Sequence, residues 1–84
     1  SGPVRDVTIR NNRFIDCSSP VILIAPENDK DLGPVHSGIR ILDNDFIFNS
    51  PGTQKPVLIE ARGIKDLKIK DNRSNVQSRL NIND

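Results

Sequence analysis

The residues best suited to chemistry are carboxylates at two recurring corners. Asp43 and Asp71 each stand directly before an Asn, in "LDN" and "KDN", and Asp45 follows two residues after Asp43. Glycoside hydrolysis uses two carboxyl groups about 5–5.5 Å apart for retention, or roughly 6.5–9.5 Å apart for inversion. If the two corners stack, Asp43 and Asp71 lie one strand spacing apart, about 4.8 Å. That makes them the candidate catalytic pair. The competing reading is a structural corner, because a short Asp side chain bonds nearby backbone in turns. A second acidic group, Glu27, Asp29 and Asp31 in "PENDKDLGP", could gather a hard cation such as calcium together with the Asn28 amide. Lys30 sits in its middle and no twelve-residue loop ends in Glu, so a solvated loop competes there. One Cys (Cys17) and one His (His36) leave no internal disulfide and no His/Cys metal cluster. No Ser-His-Asp or Cys-His arrangement and no phosphate-binding glycine loop is present, and no cofactor is expected.

The elements that must position these residues come from a short chain. Its 84 residues suffice for one small domain with a modest core. Twelve basic residues against eleven acidic ones give a net charge of +1, which argues against a nucleic-acid footprint or a polybasic membrane patch. Phe14, Phe46 and Phe48 are the only aromatic residues, so platforms for stacking bases or sugars are missing. No apolar run approaches the roughly 20 residues of a membrane span, and no leader pattern is seen. Neither nucleic acid nor membrane is expected as a partner.

The phrase "VTIRNNRF" returns as "IRILDNDF" and again as "LKIKDNRS". Each holds an apolar-x-apolar pair, Val7/Ile9, Ile39/Ile41 or Leu67/Ile69, which is the alternation of a half-buried strand. Each closes on an Asn: Asn12, Asn44, Asn72. A second phrase recurs as "PVILIA" and "PVLIEA", β-branched and led by Pro. The shortest spacings between these markers sum to a unit of about two dozen residues. Insertions account for the irregularity: a loop over 26–35 and a shorter one over 49–55. Residues 75–84 form an irregular C-terminal coil that lacks the Pro-led phrase. Period 2 and six prolines disfavour a helical repeat. The pattern predicts an all-β chain, a right-handed parallel β-helix of two to three coils forming a single segment over 1–84.

Stacking then predicts columns. Inward columns are Val7-Ile39-Leu67, Ile9-Ile41-Ile69, Phe14-Phe46, Val21-Val57, Leu23-Ile59 and Ala25-Ala61. Val4, His36 and Ile64 align three residues before a strand, where a His most simply serves as a bonded wall residue. Asn12, Asn44 and Asn72 are expected to form an internal amide ladder and to supply the left-handed corner backbone. Outward columns are polar, and Arg13-Asp45-Arg73 alternates in sign. In this alignment Ile22 and Ile24 face out, an exposed apolar row that predicts a covering partner: further coils or a neighbouring domain.

"PVILIAPE" from Pro20, "GIRILDNDF" from Gly38 and "PVLIEARGIKDLKIKDN" from Pro56 resemble the β-helix of glycoside hydrolase family 110, the bacterial α-1,3-galactosidases. The resemblance runs from about Val4 to Asn72. It implies a parent that removes terminal α-1,3-linked galactose with inversion, a carbohydrate ligand for that parent, and a secreted or periplasmic location. Members are several times longer, and no catalytic carboxylate is carried over to a position here. The expected role is a scaffold segment, inactive alone. The alternatives are a carbohydrate- or calcium-binding β-helix module and a segment of a pectin-degrading β-helix enzyme.

Overall fold

The computed structural model describes residues 5–25 and 36–83, which are built from strands with no helix. In chain order these are β1 (Arg5–Arg10), β2 (Arg13–Ile15), β3 (Ile22–Ile24), β4 (His36–Leu42), β5 (Asp45–Ile47), β6 (Val57–Arg62), β7 (Ile64–Lys70), β8 (Arg73–Ser74) and β9 (Arg79–Asn83). Each strand pairs in parallel with the strand three places later. The result is three separate three-stranded sheets, β1-β4-β7, β2-β5-β8 and β3-β6-β9. The fold is therefore all-β, as the period-2 phrases predict.

The register joins like to like. Val7, Ile39 and Leu67 stand opposite one another, as do Ile9, Ile41 and Ile69. The Phe14 and Phe46 rings stack with centroids 5.1 Å apart. The middle repeat is covered on both sides, so Ile39, Ile41, Phe46 and Ile59 are fully buried, while the flanking repeats are half-buried at the positions of Ile39, Ile41 and Phe46. Each such side chain removed from water contributes about 1.5–3 kcal/mol.

Strand β3 corrects one predicted register. Val21 N–H bonds Val57 O at 3.2 Å, and Ile22 stands opposite Ile59, Leu23 opposite Glu60 and Ile24 opposite Ala61. The Pro-led phrases thus pair one residue out of phase with their spelling. Because side chains alternate with period 2, that slip exchanges the faces. Ile22 is buried and Ile24 packs on the core, whereas Leu23 is 58% exposed. The outward row of Ile22 and Ile24 does not exist. Leu58, aligned with it, is also buried, and it is the extra residue where β6 shifts register against β9.

A feature of the first sheet explains a three-residue spacing. Asp6, Gly38 and Asp66 stand in one column, and all three have left-handed backbone, with φ of 54°, 66° and 59°. A left-handed residue inside a strand interrupts the alternation. His36 and Ile39 can therefore both face the core three residues apart, and so can Ile64 and Leu67. A Cβ on Gly38 would come within 2.7 Å of Asp6 Oδ1, so a side chain there would have to displace the Asp6 carboxylate as well as adopt a left-handed backbone.

Candidate functional site

The corners between the first and second sheets bring most of the candidate residues together. The left-handed residues there are Asn11, Asp43 and Asp71, with φ of 57°, 54° and 57°. This corrects the expectation that Asn12, Asn44 and Asn72 supply that backbone. The residue before each Asn turns the corner, which frees the Asn side chain to point inward. Asn and Asp are the non-glycine residues that adopt this conformation most readily.

The three Asn residues form a continuous chain of amide bonds. Asn44 Oδ1 accepts from Asn12 N–H at 2.9 Å and Asn12 Nδ2 at 3.3 Å. Asn72 Oδ1 accepts from Asn44 N–H at 3.0 Å and Asn44 Nδ2 at 2.9 Å. Nδ2 of Asn44 also donates to Ile9 O, and that of Asn72 to Ile41 O. Asn44 has no exposed surface, yet its side chain meets its full capacity of two donated and two accepted bonds. Among the described residues no buried side-chain N or O lacks a partner.

Outside this chain lies a charged surface. Arg73 Nε donates to Asp45 Oδ1 at 2.8 Å. That bond, with the charges of Arg73 and Arg13, holds the Asp45 carboxyl below its ordinary pKa. The same bond raises the Arg73 guanidinium, with smaller help from Asp43 and Asp71. Asp45, Asp43, Asn11, Asn12, Arg13 and Arg73 line a shallow hollow of about 370 Å³.

The candidate catalytic pair shares one stacked corner, where both carboxylates act on Arg73. Asp43 and Asp71 occupy the same corner position in successive repeats, and Asp43 N–H bonds Lys70 O at 3.1 Å. Asp71, however, borders a different hollow, with Leu58, Ile69, Lys70, Asn72, Ser78 and Leu80. Neither of these two hollows is lined by both carboxylates. Asp71 is exposed and Asp43 half-buried.

Glu27, Asp29 and Asp31 lie outside the described residues. Among those described, no group of three or more His, Cys, Asp or Glu side chains is placed to hold a metal. His36 is buried opposite Ile64, with Nε2 3.2 Å from Ala25 O and its main-chain N–H on Gly63 O. Cys17 is free and exposed. No described helix is long and apolar enough to cross a membrane.

Two further polar links escape the repeat pattern. Asp16 accepts from Asn49 N–H at 2.8 Å and from Asn49 Nδ2 at 2.9 Å, bonds that lower the Asp16 pKa. Asn75 bonds both the N–H and the C=O of Phe48, imitating a strand partner. The recurrence of Asp or Gly in "RDV", "SGI" and "KDL" is the signal that could have revealed the left-handed column at Asp6, Gly38 and Asp66.

Comparison with known proteins relates the chain to one segment of glycoside hydrolases. Over 72 residues it is 40% identical to alpha-1,3-galactosidase A of Bacteroides thetaiotaomicron, a match covering 86% of this chain and 12% of that protein. Over 75 residues it is 44% identical to alpha-1,3-galactosidase A of Peterkaempfera griseoplana, covering 87% of this chain and 10% of the relative. The protein of the same name from Bacteroides fragilis is 49% identical over 55 residues, covering 55% of this chain and 9% of the relative. The resemblance read from the residues is thus upheld: the chain is similar to a segment of α-1,3-galactosidases. It spans about a tenth of the length of the relatives it matches. No family model matches the chain, and no solved structure matches it.

Proposed function

We propose that the chain is a scaffold segment of a glycoside hydrolase acting on α-1,3-galactosides, and that its three sheets are the walls of a right-handed parallel β-helix. The observation that carries this reading is the 40–44% identity to α-1,3-galactosidase A across most of the chain. The strand order supports the helix: each sheet gains one strand per repeat, always in parallel. In this reading Asn12, Asn44 and Asn72 are an internal ladder that fixes the register of the coils. The corner residues Asp43 and Asp71 shape the backbone, and the sugar site is built on other parts of the parent enzyme. The parent is exported from the cell, an assignment resting on the resemblance.

The test is to incubate the chain with galactose-α-1,3-galactose while recording its amide NMR spectrum. The expected result is no free galactose and no shifted resonance. Galactose release that Asp43→Asn abolishes would overturn the scaffold reading in favour of a small complete enzyme. Shifts confined to the hollow around Arg13 and Asp45 would overturn it in favour of a binding module.

A further inference from the structure

The outer face of the first sheet carries charge that the fold leaves unanswered. Two columns of that face run Thr8-Arg40-Lys68 and Arg10-Leu42-Lys70. Neighbouring strands lie about 4.8 Å apart, and the two columns about 6.6 Å apart. Arg10 stands in the first repeat, Arg40 in the second, and Lys68 and Lys70 in the third, so every level of the stack bears a cation. All four are exposed. Among the described residues none of the four makes an ion pair.

The second sheet handles its charge differently. There Arg13, Asp45 and Arg73 alternate in sign, and Arg73 bonds Asp45 at 2.8 Å. On the first sheet Arg40 is directly opposite Lys68, with no carboxylate in either column. Like charges so placed on paired strands are destabilising. The chain has eleven acidic residues, enough to neutralise this strip, yet they stand beside it. Asp6 and Asp66 border it along the strands on one side, and Asp43 and Asp71 at the corner on the other.

The acidic borders set the width of what fits. A DNA duplex or a lipid surface covers more than two columns and would press its own anions against Asp6, Asp66, Asp43 and Asp71. A single nucleic-acid strand needs aromatic side chains on which its bases stack, and the two columns hold none. Protein interfaces are built on apolar and aromatic anchors and are poor in Lys, whereas half-buried Leu42 is the one apolar side chain here. The strip instead suits a thin polyanion with acid groups at short, regular intervals, running across the strands from repeat to repeat. The Arg guanidinium forks can take a carboxylate or sulfate by two bonds, and each Lys adds a point charge.

We infer that the outer face of β1-β4-β7 binds a linear acidic polysaccharide laid along the axis of the stack, with its carboxylate or sulfate groups on Arg10, Arg40, Lys68 and Lys70. The choice of a glycan rests on the glycoside hydrolase reading above. It adds to that reading a contact on the scaffold itself, away from the bond that the parent cleaves.

The experiment titrates the intact chain, followed by amide NMR, with polygalacturonate, which bears a carboxylate on each ring, and in a second arm with dextran sulfate. Neutral dextran is the blank. Amides of β4 and β7 should shift with an acid polymer, and the arm that binds tells carboxylate from sulfate. Affinity should fall with salt by roughly one logarithmic unit of slope per cation engaged. Arg40→Thr combined with Lys68→Thr repeats the residue that Thr8 already places in that column, and should weaken binding roughly tenfold. Lys55→Gln combined with Arg79→Gln removes the same charge from another exposed surface and should leave affinity within about twofold. Binding of neither acid polymer, equal binding of neutral dextran, equal losses in the two double variants, or equal affinity for a polyglutamate peptide or a DNA duplex would each overturn the inference. Galactose release by the chain would overturn only the scaffold reading, so the two failures are told apart.

Discussion

Asn44 Oδ1 holds the main-chain N–H and the side-chain Nδ2 of Asn12 with one oxygen, at 2.9 and 3.3 Å. The same Asn44 side chain donates to Ile9 O and to Asn72 Oδ1. One buried residue thus joins all three repeats. Asn44→Ala leaves several groups without partners in the core, and each unpaired buried group costs about 1–3 kcal/mol. A loss of about 3 kcal/mol or more is expected, close to the whole stability of a small domain. Asn12→Ala, at an exposed end, should cost about 1 kcal/mol. Urea midpoints of the two variants check this; equal midpoints would refute the central role of Asn44.

The exchange of faces in β3 makes a paired prediction. Ile22→Ala removes a buried side chain against Ile59 and should cost about 2–4 kcal/mol. Leu23→Ser changes an exposed residue and should stay within about 0.5 kcal/mol. Thermal melts showing the reverse order would restore the register suggested by the spelling of the two Pro-led phrases.

Gly38 combines a left-handed backbone with the close approach of Asp6. Gly38→Ala meets both obstacles and should destabilise by about 1–3 kcal/mol. Adding Asp6→Ala removes the clash with Oδ1 but not the backbone strain, so recovery should be partial. Complete recovery in a chemical denaturation series would show that the backbone term is negligible.

Asp16 and Asp45 have depressed pKa values in the folded chain, through the Asn49 bonds and the Arg73 bond respectively. Groups lowered on folding contribute stability above their unfolded pKa and lose it as pH falls through the folded one. Stability should therefore decline below about pH 4, near the ordinary carboxylate value. The urea-midpoint gap between the parent chain and Asp45→Asn should be widest near about pH 6 and shrink toward about pH 3. Added salt should narrow it as well, since the ion pair is on the surface. A gap that grows in acid would contradict the assignment.

The first and second sheets were legible because their phrases alternate cleanly. Val7, Ile39 and Leu67 can face only one way with Thr8, Arg40 and Lys68 beside them. The third sheet was less so. "VILIA" is apolar at every position, so either register satisfies a period of 2, and the shared Pro suggested the wrong one. What decides is the fit of Ile22 and Ile24 against Ile59 and Ala61, with Leu23 beside Glu60. Backbone conformation was the harder part. The corners were visible as Asn and Asp pairs, but which member takes positive φ depends on whose side chain must turn inward. Of the candidate site, the spacing brought Asp43, Asp45 and Arg73 together, while which hollow Asp71 borders depends on side-chain placement that spacing does not fix.

The chain of amides has a sense, like a one-way thread. Asn44 Oδ1 and Asn72 Oδ1 each accept from the repeat before, so both amide-to-amide links point from the first repeat toward the last. A repeat set in upside down would meet oxygen with oxygen at the corner. One duplicated in line would find its donor and its acceptor waiting. Such a wall can grow or shrink by whole repeats copied in the same direction.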